Sequence, residues 1–277
     1  MTLRGKLRNL RQDLRDLYET VAPLRLRRLR TIEQHGVVMI AGSSAAHGEM
    51  EAGRFEREEI AIVQEHLGKI DVFVDVGANI GLYACLARLA GCHTIAIEPQ
   101  AKNLPLLYAN LARNGDGGLE VYPVGLSDRT GLASLFGASG TGSSLIQGWA
   151  ADLHAPWLRS TIPVTMLDVL LGGRFTGKRL FIKIDVEGAE YDVLRGARKT
   201  LESSPRPSWL VEICLSEYHP AGLNPDYAAT FGMFWDRGYE ARTADAERRL
   251  VLPADVRRWV DAGRCGSGVI NYLFTGP

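Results

Sequence analysis

Phe73 to Ala84 reads FVDVGANIGLYA, and the fold follows from this stretch. Val72, Phe73, Val74 and Val76 form the short apolar run of a strand buried on both faces, with Asp75 close to its end. Gly77 and Gly81 permit a tight turn and close backbone approach, and from Ile80 to Leu89 the apolar residues return at helical spacing. A strand, a glycine turn and a helix start in this order place a ligand at the strand's carboxyl end, against the helix N-terminus. The dinucleotide fingerprint needs a second glycine for close approach to a pyrophosphate, and Asn79 stands in its place. The turn therefore favours a ligand without phosphate.

Outward from the turn, His93 to Ile97 (HTIAI) predicts a second buried strand, ending in Glu98 and Pro99. An acid there, roughly 20 residues past the turn, is where a nucleoside's ribose hydroxyls are gripped. Asp75, at the first strand tip, suits the ammonium of an amino-acid moiety. S-adenosylmethionine joins a nucleoside to such a moiety, so methyl transfer is the first hypothesis. A structural strand-to-helix turn and a solvated strand-end acid are the plain alternatives for the two motifs.

Further strings extend the pattern: AIEPQAKN at Ala96–Asn103, VGLSD at Val124–Asp128, SSLI at Ser143–Ile146 and FIKIDVEGAEYDVLRGA at Phe181–Ala197. Through these and VDVGANIGLYA the chain resembles the FkbM-type methyltransferases from about Glu56 to Glu212. The resemblance implies a Rossmann-like, seven-stranded sheet, mostly parallel with an antiparallel final strand and helices on both faces. It implies S-adenosylmethionine as cofactor and O-methylation of a hydroxyl on a sugar or secondary metabolite. Beside Asp75, Gly77, Asn79, Gly81 and Glu98, the matched motifs suggest Ala78, Asn103, Ser127 and Asp128 as cofactor contacts.

The alternation of strands and helices after the turn agrees with a doubly covered parallel sheet. A helix is expected over Arg54–Leu67, strands at Thr94 and Leu119–Val124, and a helix over Asn103–Arg113 between them. Leu180–Ile184 and Trp209–Cys214 are the next strands, separated by a helix over Ala189–Leu201. Asp226–Arg237 is a further helix, and Tyr239–Thr243 and Val269–Phe274 form a closing pair of strands around a helix at Val256–Trp259. The order breaks around 130–165, where LASLF and IPVTM predict an inserted hairpin near the substrate. Two units follow: 1–53, a basic amphipathic helix with a lead-in strand at His35–Ala41, and 54–277, the Rossmann-like domain.

In the first unit Leu3, Leu7, Leu10, Leu14, Leu17 and Val21 form a helical seam that Pro23 ends or kinks, with Arg25, Arg27, Arg28 and Arg30 following. This arm, residues 1–30, is open to three readings: packing on its own core, pairing with a second copy, or lying on a membrane surface.

Charge over the whole chain balances, 32 basic against 32 acidic residues, so nothing draws it as a whole to nucleic acid. Four cysteines, with no paired spacing, read as reduced thiols and give no metal site. Without a spanning apolar run or a secretory leader, the expected place is the cytoplasm, or the inner membrane surface if the arm docks there.

Methylating a hydroxyl requires alignment and removal of its proton. Asp185 and Glu187 follow the fourth core strand and are the leading candidates for the base; the alternative has Asp185 fixing the cofactor and Glu187 capping a helix. Glu212 and His219, in or after the fifth strand, are the others, His219 also being readable as a surface residue. Lys183 could reach the substrate or form a structural ion pair, and Ser143 and Ser144 could bind substrate or simply build a turn. The missing Asn/Asp-Pro-Pro-aromatic string disfavours N-methylation, and Asn79 disfavours a nicotinamide oxidoreductase. A methyltransferase-like scaffold without activity is the non-enzymatic alternative. The acceptor is expected to be a small molecule or a glycan.

Overall fold

The structure, a computed structural model, describes residues 29–42, 45–137, 142–149 and 159–277. The seam from Leu3 to Val21 and the arginines up to Arg28 lie outside the described residues. Its main sheet has eight strands in the order β12-β11-β13-β10-β9-β3-β4-β5. These are β3 (Val72–Val76), β4 (His93–Ile97), β5 (Leu119–Tyr122), β9 (Leu180–Ile184), β10 (Ser208–Glu212), β11 (Glu240–Thr243), β12 (Leu250–Val251) and β13 (Asn271–Thr275). β5, β4, β3, β9 and β10 run parallel, while β13 is antiparallel to both β10 and β11. Seven strands are thus those the sequence predicts. The eighth, the two-residue β12, pairs with the edge of β11.

Period-two alternation fills both faces. Val72, Val74 and Val76 of β3 point into one apolar cluster, with Ile95, Ile97, Trp209 and Val211, under α8 (Tyr227–Trp235) and α9 (Pro253–Ala262). Phe73, Ala96 and Leu210 point the other way, toward α2 (Arg57–Leu67), α3 (Leu82–Leu89) and α4 (Leu104–Leu111). Such burial on both sides explains why these strands read as continuous apolar runs. Two charged residues interrupt them at the same level, because Asp75 of β3 lies in register with Lys183 of β9.

Three expectations need correction. His35–Ala41 is not an isolated strand: β2 (Val37–Ala41) pairs antiparallel with β1 (Arg30–Gln34). His35 and Gly36 make the two-residue turn, both with positive φ, as the right-handed twist of a hairpin requires. Arg30, assigned to the basic arm, therefore starts β1, and it pairs with Glu51 at 2.6 Å. The chain after the hairpin continues into a short helix, α1 (Ala45–Glu51).

The single helix expected over Ala189–Leu201 is two, α6 (Glu190–Arg195) and α7 (Arg198–Leu201). Gly196 breaks it where the chain passes the Ser127 carbonyl, 2.2 Å from where a Cβ would sit. The predicted insertion is present as β7 (Gly131–Phe136) antiparallel to β8 (Arg159–Thr165), with β6 (Gly125–Leu126) completing a three-stranded sheet on β8. α5 (Leu167–Leu171) leads from it back to β9.

Candidate active site

The chain steps outward from β3 to β4 and β5, then returns to β9 on the other side of β3. Ligands bind at such a switch point, beyond the carboxyl ends of the strands. A cavity of about 220 Å³ lies there. Its floor is the turn at residues 77–81. Gly77 has φ 85, and a Cβ on it would sit 1.8 Å from the Asp185 carbonyl oxygen, so the tips of β3 and β9 meet only because the residue is glycine. The Gly77 and Ala78 N–H groups both donate to the Ile97 carbonyl, at 2.9 and 3.0 Å. Gly81 closes the turn and also lines the cavity.

Glu98 ties this turn to the exit of β4. Its Oε2 accepts the Asn79 N–H and its Oε1 the Gln100 N–H, each at 2.7 Å. Burial pushes its carboxyl up to about 7, against the pull of those two N–H groups and of the Asn103 side chain. Glu98, Asn79 and Asn103 all line the cavity. Asn79 is held at φ 51, and its Oδ1 is buried with no hydrogen-bond partner. An unpartnered buried amide oxygen is costly unless a ligand donates to it.

Asp75 takes a different place from the one expected. Its carboxylate does not line the cavity; Oδ2 accepts the Ala84 N–H at 3.0 Å and so fixes the start of α3. Burial raises it to about 6, with Lys183 pulling down and Asp185 adding to the rise. Ser127 and Asp128 are likewise outside the cavity wall. Asp128 pairs with Arg195 at 2.8 Å and Arg129 at 3.2 Å, which commits it to holding α6 against the β6 turn.

Across the cavity from Glu98, carboxylates gather around one cation. The Lys183 ammonium, buried in β9, donates to Asp185 Oδ2 at 2.8 Å and stands 4.6 Å from the centre of the Tyr83 ring. Burial alone would depress Lys183, but Asp185, Glu56 and Asp75 hold it well above the ordinary lysine value. Lys183, Asp185, Glu187 and Glu212 all line the cavity. Glu187 sits at φ 57, and its Oε2 accepts the Trp149 indole N–H at 2.8 Å. Burial, reinforced by Asp185, raises Glu187 to about 7. Glu212 is raised well above the carboxylate range by burial, then by Asp185, Glu187 and Glu56. Among the described residues no three or more His, Cys, Asp or Glu are grouped to hold a metal ion.

The inserted loop forms one rim. Ser143 lines the cavity and accepts a hydrogen bond from Gln100 Nε2 at 3.0 Å. Ser144 does not line it; its hydroxyl donates to the Glu187 carbonyl at 2.6 Å, so this serine anchors the loop. Gly188 passes directly under Trp149, where a Cβ would lie 2.4 Å from the ring. His219 is also outside the wall, edge-on to Trp149 at 5.9 Å, with Nδ1 accepting the Ala221 N–H at 3.2 Å.

Sequence reasoning missed Glu56 and Tyr83. The Tyr83 hydroxyl donates to Glu56 Oε2, and both side chains line the cavity. Burial raises Glu56 to about 7, with Lys183 pulling down. Tyr83 stood inside the quoted motif, but a tyrosine on the buried face of a helix carries no mark of a polar role. Glu56 reads as one acid among several at a helix start.

Residues 75–241 match the profile of the methyltransferase FkbM domain. Hexuronic acid methyltransferase AglP of Haloferax volcanii is 30% identical over 179 residues, 62% of this chain and 65% of that protein. The match thus spans somewhat less than two thirds of that relative's length. Solved structures with a distant likeness include an S-adenosylmethionine-dependent methyltransferase from Agrobacterium tumefaciens, with TM-score 0.45 and 10% identity over 89% of this chain and 69% of that one. A precorrin-6y C5,15-methyltransferase from Geobacter metallireducens has TM-score 0.38 and 12% identity, over 77% of this chain and 84% of that one. The chain belongs to the FkbM methyltransferase family.

Proposed function

From this family membership, we propose that the protein is an S-adenosylmethionine-dependent O-methyltransferase whose acceptor is a sugar hydroxyl. The observation that carries the cofactor is Asn79 Oδ1, buried and unpartnered in the wall of the cavity at the β3–β9 switch point. Beside it Glu98 presents a carboxylate, and Gly77 leaves the backbone bare. These groups suit a ligand with hydroxyl and amine donors. Gly77, Ala78, Asn79, Gly81, Glu98 and Asn103 would hold it, and when bound it supplies an activated methyl group and a neutral leaving group.

The protein's part is to orient the acceptor and accept its proton. Besides Glu98, the carboxylates facing the cavity are Glu56, Asp185, Glu187 and Glu212. Asp185 is committed to Lys183, an ion pair that must loosen before the carboxylate takes up a proton. Glu56, at about 7, stays ready to exchange a proton near neutrality. That AglP is a hexuronic acid methyltransferase supports a glycan acceptor over an apolar metabolite. The test is incubation with methyl-labelled S-adenosylmethionine and glucuronic-acid oligosaccharides. Label recovered as a base-stable methyl ether supports the reading; label recovered on nitrogen, or no transfer to any saccharide offered, counts against it.

A further inference from the structure

Beside the cavity lies an outer groove of about 960 Å³ between α2 and the turn from β11 to β12. Glu56 is the one described residue that lines both spaces. It precedes α2 in the left-handed conformation, φ 42 and ψ 46, a strained state for a residue with a side chain. Tyr83 holds its Oε2, while its Oε1 has no hydrogen bond to any described residue. One oxygen is anchored and the other is open.

The groove is charged. Arg54 is paired with Glu49, Arg248 with Glu65 and Asp245 with Arg249, but among the described residues Arg57 has no ion-pair partner, nor do the lining carboxylates Glu56, Glu58 and Glu59. Among the described residues, the apolar side chains lining it are the small Ala61 and Ala246. An apolar ligand here would strip water from an unpaired guanidinium and carboxylate without replacing it. A ligand bearing many hydroxyls and one carboxylate meets both, since carboxylates accept from hydroxyls and a guanidinium binds a carboxylate in charge-assisted pairs.

We propose that this groove is the acceptor site and takes a hexuronate-bearing saccharide. Its carboxylate pairs with Arg57, and the hydroxyl next to the cavity donates to Glu56 Oε1. This rests on the sugar methyltransferase reading above and gives that reading a location. Ala61 is exposed on α2 at the groove wall, so Ala61→Trp puts a bulky ring into the groove beside Arg57 and Glu58 without touching the cofactor cavity.

The experiment is saturation-transfer NMR on the full chain with S-adenosylhomocysteine present, using a glucuronic-acid disaccharide as probe. The wild type is expected to bind it, with affinity about tenfold weaker in Arg57→Ala, a loss of one charge-assisted contact, and binding absent in Ala61→Trp. The affinity for S-adenosylhomocysteine, measured separately by calorimetry, is expected to be unchanged in both. No binding of the disaccharide to the wild type, or equal binding in both variants, overturns the groove assignment. Failure of the cofactor itself to bind would overturn the methyltransferase reading instead, so the two failures are distinguishable.

Discussion

Lys183 is the residue on which the site's electrostatics turn. It is the only Lys, Arg or His among the described residues lining the cavity, and Glu56, Asp185, Glu187 and Glu212 line it too. A buried charge whose partner is removed costs several kcal/mol, because the survivor keeps its desolvation penalty. Lys183→Met is therefore expected to lower unfolding stability by roughly 3 to 5 kcal/mol in urea titration, although methionine fills the same space. Stability equal to that of the wild type would mean that the carboxylates do not depend on it. The sequence shows a lysine inside an apolar strand, which signals a partner, but not which acid supplies it. Asp75, its neighbour in register, bonds to α3 instead, and Asp185 takes the ammonium. The place of Glu98 in the cavity wall was legible because an acid at the end of the second strand faces the crevice beyond the strands. Glu56 was not, because its positive φ is a property of the folded backbone.

At the level of elements, the parallel strands could be read because each is apolar on both faces. The lead-in hairpin could not. RTIEQ has no clear alternation, and what holds β2 in place is more than 60 residues away in sequence. Asn110 Oδ1 accepts the Ile40 N–H at 2.7 Å, and its Nδ2 donates to the Ile40 and Ile80 carbonyls at 3.0 and 2.9 Å. Asn114 repeats the arrangement on Val38, accepting its N–H at 2.9 Å and donating to its carbonyl at 2.9 Å. The two amides act as a substitute strand along β2, satisfying backbone groups that would otherwise be left unpaired. Asn110→Ala leaves several of these buried groups unsatisfied and should cost roughly 2 to 4 kcal/mol by chemical denaturation. A loss below about 0.5 kcal/mol, the range of ordinary surface substitutions, would show that the hairpin is held by apolar contacts alone. The split between α6 and α7 was hidden for the same reason: the carbonyl that forces the break at Gly196 belongs to Ser127, far away in the chain.

Over the whole molecule, the carboxylates give stability a definite dependence on pH. Burial raises Glu56, Glu98 and Glu187 to about 7 and Glu190 to about 8, from 4.5. The folded state then binds more protons than the unfolded chain between those values, so stability falls as pH rises from about 4.5 through about 8. Asp71, held by Arg179, lies at about 2, and Glu120, held by Arg174, Tyr122 and His93 against its burial, also lies at about 2. Their contribution is lost as pH falls below the ordinary carboxylate range, so the ligand-free protein is expected to be most stable near pH 5. Its Tm should drop by roughly 3 to 10 °C between about pH 5 and about pH 8.5, as followed by circular dichroism. A Tm that rises over that interval would contradict the burial of these acids. Three of these raised acids, Glu56, Glu98 and Glu187, line the cavity at the switch point of the sheet, and whether S-adenosylmethionine binds there can be measured directly. Calorimetric titration of the full chain with S-adenosylmethionine is expected to give one site per chain, weakened roughly ten- to a hundred-fold, about 1.5 to 3 kcal/mol, in a folded Glu98→Ala variant. No binding to the wild type, or unchanged affinity in that variant, would contradict it.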